Sequence, residues 1–267
     1  MPLKFYYPSR GTVPVSVTGT HCALKCKHCN AVALKHMLDA SRGERLWEIA
    51  VKAKEAGMNS LLVSGGSNAR GEVPVWEHVD TLRKIREELG LKVNAHVGLI
   101  PKDKIPLLRG AVDVISLDIP PSDKVIEEIY GLNERVEDYF SLFLKLSGYY
   151  RVVPHITTLL YYGRSTGEYR VIEELADLGI TKLIVNVFMP LPGTPMQYVR
   201  PNIEEAVDIM RYAARHDWEL VLGCMRPRVR RLELIALEEG FEGIVQPSRR
   251  LEREINAEER NYCCALD

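Results

Sequence analysis

Short apolar, β-branched runs alternate with stretches whose apolar residues recur every three or four positions, and the alternation continues along almost the whole chain. Repeated βα units around a parallel sheet produce this pattern. The runs predict eight strands, over residues 13–18, 61–65, 91–97, 113–119, 152–160, 182–188, 219–223 and 243–246. Helices are predicted over 44–56, 75–89, 169–178 and 203–216, each with one apolar and one charged face. Three of them run into Gly57, Gly90 and Gly179, where a left-handed C-terminal cap suits glycine. Eight such units favour an α/β fold of the (β/α)8 type, closed or partial, over a doubly wound sheet, and place the chemistry at the C-terminal ends of the strands. No repeat beyond the βα unit, no low-complexity tract and no linker interrupts the pattern. One domain is expected over residues 1–250, followed by a tail over 251–267.

Composition narrows the partners more than the fold. With 35 Lys plus Arg against 36 Asp plus Glu the net charge is −1, so no overall field draws the chain to nucleic acid or an anionic membrane. Its 267 residues are 46% hydrophobic and 27% charged, ordinary for a globular protein. No run approaches the roughly 20 apolar residues that span a bilayer, and residues 1–14 lack the basic start and apolar stretch of a signal peptide. A cytoplasmic setting is expected. Six cysteines form two groups: Cys22, Cys26 and Cys29 directly follow the first predicted strand, while Cys224, Cys263 and Cys264 fall near the other end. In a reducing compartment such clusters point to metal or catalysis before disulfides.

Residues 21–30 read HCALKCKHCN, a C-x3-C-x2-C spacing. Three thiolates on one loop can hold three irons of a [4Fe-4S] cube and leave the fourth iron open, which distinguishes a working metal site from a closed structural one. Structural zinc is an alternative, with His21, His28 or His36 as fourth ligand, although zinc spacings commonly come as two separated pairs. A plain electron-transfer cluster is another. The spacing, placed after the first strand of a βα barrel, resembles the radical SAM superfamily. That resemblance implies a radical SAM barrel in which the free iron binds the amino and carboxylate groups of S-adenosylmethionine. The residue before the third cysteine is usually aromatic in the superfamily; here it is His28.

The same resemblance implicates other strand ends in binding the cofactor. Ser64, Gly65 and Gly66 close the second predicted strand, where small residues let a backbone approach a ligand; Ser67 follows where the family often has Glu, and a tight turn is the plainer explanation. Asp118, in SLDIPPSD, is placed to accept hydrogen bonds from ribose or substrate hydroxyls, while Ser122 and Asp123 suit capping of the next helix. Residues 163–168, GRSTGE, resemble the glycine-bearing fifth-strand motif, and Ser165 with Glu168 equally forms a capping box. Arg164 there either meets a carboxylate or faces solvent. Residues 185–196, VNVFMPLPGTPM, are similar to a segment of biotin synthase, lipoyl synthase and their relatives, which implies that Met189 and Leu191 line an adenine pocket. Core packing before a Pro/Gly turn is the alternative.

A lone strand-end cysteine is usually a small buried hydrophobe. Three thiols outside the first motif nevertheless suggest an auxiliary [4Fe-4S] cluster on Cys224, Cys263 and Cys264, with the tail folding back over the barrel and ordering with the metal. Its fourth ligand is then a non-cysteine group or absent; Ser248 is the best placed hydroxyl. By resemblance to biotin and lipoyl synthases, such a cluster gives up a sulfide to a carbon radical. Late cysteines in a compact chain look like one component of the two-protein, archaeal-type lipoyl synthase. This implies an octanoylated lipoyl-carrier protein or peptide as substrate, a second radical SAM subunit and an electron donor. Arg226, Arg228, Arg230, Arg231, Arg249 and Arg250 would then gather as a basic patch for an acidic carrier, or form a solvated helix start paired with Glu233, Glu238 and Glu239. Competing readings are a biotin synthase-like enzyme, another radical chemistry such as methylation or C–C cleavage, and a non-catalytic iron–sulfur electron carrier.

Overall fold

In the computed structural model, which describes residues 2–267, eleven parallel strands form one sheet. They are β1 (Lys4–Tyr6), β2 (Thr12–Ser16), β3 (Leu38–Asp39), β4 (Ser60–Ser64), β5 (Lys92–His96), β6 (Val114–Ile119), β7 (Val152–Thr158), β8 (Lys182–Val187), β9 (Glu219–Leu222), β10 (Gly243–Val245) and β11 (Glu258–Arg260). Their spatial order, β11-β1-β10-β9-β8-β7-β6-β5-β4-β2-β3, makes a curled partial barrel with free edges at β11 and β3. The eight strands expected from hydropathy are β2 and β4 to β10. Hydropathy gives no sign of β1, β3 and β11, whose residues KFY, LD and EER include no β-branched apolar run.

Helices α1 (Gly43–Glu55), α2 (Val79–Lys84), α3 (Val136–Ser147), α4 (Glu168–Asp177), α5 (Ile203–Ala213), α6 (Arg230–Glu238) and α7 (Arg249–Glu254) accompany the strands. The span expected as one helix over 75–89 is divided into a 3-10 turn (Val75–His78), α2 and a π turn (Ile85–Leu89) that stops at Gly90 with φ 64°. The main core lies between sheet and helices. Val63, Val93, Ile115, Val185 and Leu222 from the strands meet Leu46, Ile49, Leu82, Ile172, Ile209 and Ile235 from the helices.

Alternation then turns the other residue set into the barrel lumen. Asp118, His155, Ile184 and Val221 stand in register across β6 to β9, as do His96, Ser116 and Val153 across β5 to β7. The tail closes this lumen from below. β11 pairs with β1, the Cys263 amide donates to Thr12 Oγ1 at 2.9 Å, and a turn (Cys264–Leu266) packs on Tyr6, Val114, Val153, Ile184, Val221 and Val245. Val114 is the first residue of β6 and Val153 the second of β7, so the tail meets these two strands at their N-terminal ends. Asp267 fastens it: its carboxylate meets Lys4 Nζ at 2.8 Å and accepts from the hydroxyls of Tyr6 and Tyr262. Burial pushes the Asp267 carboxyl up, but these partners outweigh it and hold the group below its ordinary range. Among the described residues no helix is long and apolar enough to cross a membrane.

Candidate metal centre at the barrel mouth

The loop that carries Cys22, Cys26 and Cys29 leaves β2 at its C-terminal end. Among the described residues six non-glycines have positive φ: Lys25, Asn30 and Ala31 in this loop, Leu159 and Tyr162 after β7, and Gln246 after β10. All six sit at C-terminal strand ends, and such conformations persist only where surrounding contacts hold them. The loop is held on four sides. Ala23 N donates to Ser67 O at 2.7 Å, Lys27 N to Ile129 O at 2.9 Å, Lys27 Nζ to Tyr162 Oη at 2.8 Å and Asn30 Nδ2 to Gly193 O at 3.2 Å. Gly66 lies directly against it: a Cβ there would come 1.9 Å from His21 O and 2.6 Å from Cys22 Cβ. The small residues after β4 therefore admit the thiol loop itself, a closer approach than the ligand contact expected of them.

The three thiols crowd one another. Burial, then the neighbouring Cys22 and Cys29, push the Cys26 thiol up to about 12. Thiolates are unfavourable here unless positive charge accompanies them, which is what metal ions supply. Among the described residues no three His, Cys, Asp or Glu side chains converge to hold one metal ion. A cube assigns a separate iron to each thiolate and needs no such convergence, so the donor set fits an iron–sulfur cluster. The histidines offered for zinc lie otherwise: His21 and His36 are exposed. The His28 ring packs 5.6 Å from Tyr130, with Nδ1 buried and without a partner, and burial lowers its pKa to about 4. His28 is thus a neutral plate packed against Tyr130.

Asp118 faces the lumen below this loop, and its Oδ2 lies 3.4 Å from His96 Nδ1. Burial raises the Asp118 carboxyl but His96 outweighs it and the group falls below its usual range; burial lowers His96, which Asp118 reverses to a net rise. The His155 ring is 5.6 Å from that of His96, and burial pushes His155 down to about 4. Sequence reasoning passed over both histidines; the available signal was a titratable side chain on the lumen face of an otherwise apolar strand. Ser64, Met189 and Leu191 are half-buried at the mouth. Arg164 turns away to Glu205, 3.1 Å distant, in a groove outside the barrel shared with Ser122 and Thr166. Ser165 and Glu168 form no capping box. Glu168 is buried and collects the amides of Leu159, Thr166 and Gly167, while Ser165 N donates to Glu205.

The second cysteine group divides. Cys224 is exposed just past β9 and close enough to Cys263 for their charges to oppose one another. Cys263 receives the Asn94 side-chain amide at 3.3 Å, and Asn94 in turn accepts from Ser116 Oγ at 2.9 Å. Contact with Cys264, helped by Asn94 and His96, draws the Cys263 thiol below its ordinary value, while Cys264 is driven up. Cys264 packs in the apolar plug.

Ser248 does not face these thiols. Its hydroxyl donates to Glu233 at 2.6 Å and accepts from Leu251 N to cap α7. The basic patch also dissolves. Arg226 is 1% exposed and bonds the carbonyls of Gly223, Val245 and Gln246 together with Glu233. Arg228 bonds Cys224 O and Gln246; Arg230 and Arg250 pair with Glu254, and Arg231 with Glu204.

No protein-family model matches the sequence, and no curated protein matches it. Solved structures do resemble the chain, and what they hold in common with it is the α/β partial-barrel fold. Methylornithine synthase (PylB) is 14% identical at a TM-score of 0.62, over 97% of this chain and 79% of that one. HydG, a maturase of the [FeFe]-hydrogenase, is 12% identical at 0.65, over 91% and 57%. Streptococcus suis SuiB bound to S-adenosylmethionine is 16% identical at 0.57, over 92% and 52%. The chain thus spans little more than half the length of the last two, and the likeness is one of fold.

Proposed function

We propose that the chain is a radical SAM sulfur-insertion enzyme, one component of a two-protein lipoyl synthase of archaeal type. Its main support is a three-thiol loop held in positive-φ backbone at the mouth of the barrel, together with further thiols on the same barrel, Cys263 against Asn94 of β5 and Cys224 just past β9. Cys22, Cys26 and Cys29 would hold a [4Fe-4S] cluster, Ser64, Gly65, Asp118, Met189 and Leu191 would border S-adenosylmethionine, and Cys224 and Cys263 would carry an auxiliary cluster. When bound, these groups supply a 5'-deoxyadenosyl radical and a sulfide donor, chemistry on an unactivated C–H bond that no tuned acid or base performs.

The chain's own residues position and shield. The four-sided fastening of the loop fixes the three thiols at the barrel mouth. Asp118, with Oδ2 turned to His96, keeps Oδ1 for a ribose or substrate hydroxyl. The Asn94 amide steadies the Cys263 sulfur. Octanoyl-lysine on a carrier domain is the proposed substrate, with a sister subunit and an electron donor as partners.

Anaerobic reconstitution, then reduction with S-adenosylmethionine, tests the first half: deoxyadenosine and methionine are expected, and their absence overturns the reading. Mass spectrometry of an octanoylated lipoyl-domain peptide, with and without a candidate sister protein, tests the second. A gain of two sulfurs supports lipoyl synthesis; product from dethiobiotin alone replaces it with a biotin synthase-like activity.

A further inference from the structure

Charge is unevenly spread over the barrel mouth. Residues 17–37, which join β2 to β3 and carry the three thiols, contain Lys25, Lys27 and Lys35 and no aspartate or glutamate. Residues 188–202, which join β8 to α5, contain Arg200 and again no acid. All four side chains are exposed, and among the described residues none has a carboxylate partner; Lys27 donates to the Tyr162 hydroxyl instead. The acids of the rim gather after β6, as Asp123, Glu127, Glu128 and Glu134. We infer that Lys25, Lys27, Lys35 and Arg200, with Tyr198, form the docking face for the one-electron donor, a small protein that carries its own iron–sulfur group behind an acidic surface. This rests on the radical SAM reading above. The donor gives up one electron and the group held by Cys22, Cys26 and Cys29 gains it; no bond or proton moves.

Three observations lead there. The thiol loop leaves β2 and reaches Gly193 O through Asn30 Nδ2 at 3.2 Å, so it crosses the mouth to the loop after β8, with β4, β5, β6 and β7 between them in the sheet. The basic residues of the two loops therefore belong to one surface. Lys25 and Lys27 adjoin Cys26 in the chain, at Cα separations of about 3.8 Å, so a protein seated on these lysines lies one residue's step from a sulfur that is itself half-buried. Tyr198 is 87% exposed in the same loop as Arg200, and Tyr and Arg are the residues that protein interfaces favour. Uncompensated lysines steer an acidic partner to this face, while a net charge of −1 gives nucleic acid no comparable field over the rest of the chain. A substrate carrier must send its cargo past the loop into the lumen. An electron has only to reach the thiols, and the outer face of their own loop suffices.

The test uses the full chain, loaded anaerobically with iron and sulfide, and an acidic plant-type ferredoxin as probe. Carbodiimide cross-linking of the wild-type pair should join ferredoxin carboxylates to Lys25, Lys27 or Lys35, read by peptide mass spectrometry, and should fade as salt is raised. The double variant Lys25→Glu, Lys35→Glu should weaken binding by about tenfold or more in calorimetry and slow ferredoxin-driven formation of deoxyadenosine from S-adenosylmethionine. Dithionite, which needs no docking face, should still drive that reaction at the wild-type rate. Tyr198→Ala should weaken binding as well. The charge-matched control Lys92→Glu, Lys145→Glu, exposed at the start of β5 and on α3, should bind as wild type does. Absence of binding at low salt, cross-links confined to other lysines, or equal loss in the two double variants overturns the docking face and leaves the radical SAM reading intact. An octanoylated lipoyl domain that cross-links to these lysines where ferredoxin does not would assign the face to the substrate carrier and overturn the donor. No deoxyadenosine with dithionite in wild-type protein overturns the radical SAM reading itself.

Discussion

Gly66 shows how one missing side chain sets the site. A Cβ there collides with His21 O and Cys22, so Gly66→Ala must push the thiol loop outward. It should cost about 1–3 kcal/mol by overpacking and lose most reconstituted iron; a variant with full iron content would show that the loop yields freely. Arg226 is the opposite case, a charge enclosed by carbonyls and one carboxylate, with burial drawing its pKa down to about 10. Glu233→Ala strands that charge, and a loss of about 3–5 kcal/mol is expected from denaturant titration. For His155, burial sets the folded pKa near 4 against an ordinary 6.5. The unfolded chain therefore takes up the proton first, so the stabilisation present above pH 6.5 declines as pH falls toward 4. Apo-protein midpoints should follow that slope, on the order of 1–3 kcal/mol in total, and His155→Gln should flatten it. Of these residues the sequence disclosed identity but not depth. Arg226 reads as surface charge because nothing in a linear run marks the carbonyls of two strand ends that enclose it.

Among elements, β2 and β4 to β10 were legible as apolar, β-branched runs, whereas β1, β3 and β11 carry no such run and owe their place to neighbours already in the sheet. The thiol loop was legible for a different reason: spacing alone brings three sulfurs onto one segment. The 163–168 segment misleads because Glu168 turns inward to three amides, where the local pattern suggests a surface cap. The tail was legible as a returning segment, but its destination depended on the apolar ring at the base of the lumen, assembled from six separated strands. That ring makes the tail a structural plug as well as the carrier of Cys263. Leu266→Ala should then cost about 2–5 kcal/mol, read from thermal or chemical unfolding of apo-protein. A cost below about 0.5 kcal/mol, the range of exposed positions, would show that the plug does not seal the base.

At the scale of the whole molecule, the barrel places two sulfur-bearing stations on different supports. Cys22, Cys26 and Cys29 hang from rim contacts at β4, β6, β7 and β8, whereas Cys263 is fixed by Thr12, Asn94 and the plug. No hydrogen bond among the described residues joins the two stations directly, so loss of one thiol set should leave the other's geometry in place. Cys26→Ser should therefore abolish formation of deoxyadenosine, and product with it. Cys263→Ser and Cys224→Ser should spare deoxyadenosine formation, within a few-fold of wild type, while losing the sulfur-bearing product. Cys264→Ser belongs with neither set: it places a hydroxyl in an apolar layer and should first lower stability, by about 1–3 kcal/mol. Parallel assays of deoxyadenosine and product mass on the four variants separate these outcomes. Equal loss of both activities in Cys263→Ser, in protein whose unfolding midpoint is unchanged, would mean that the lumen thiols serve the radical step itself.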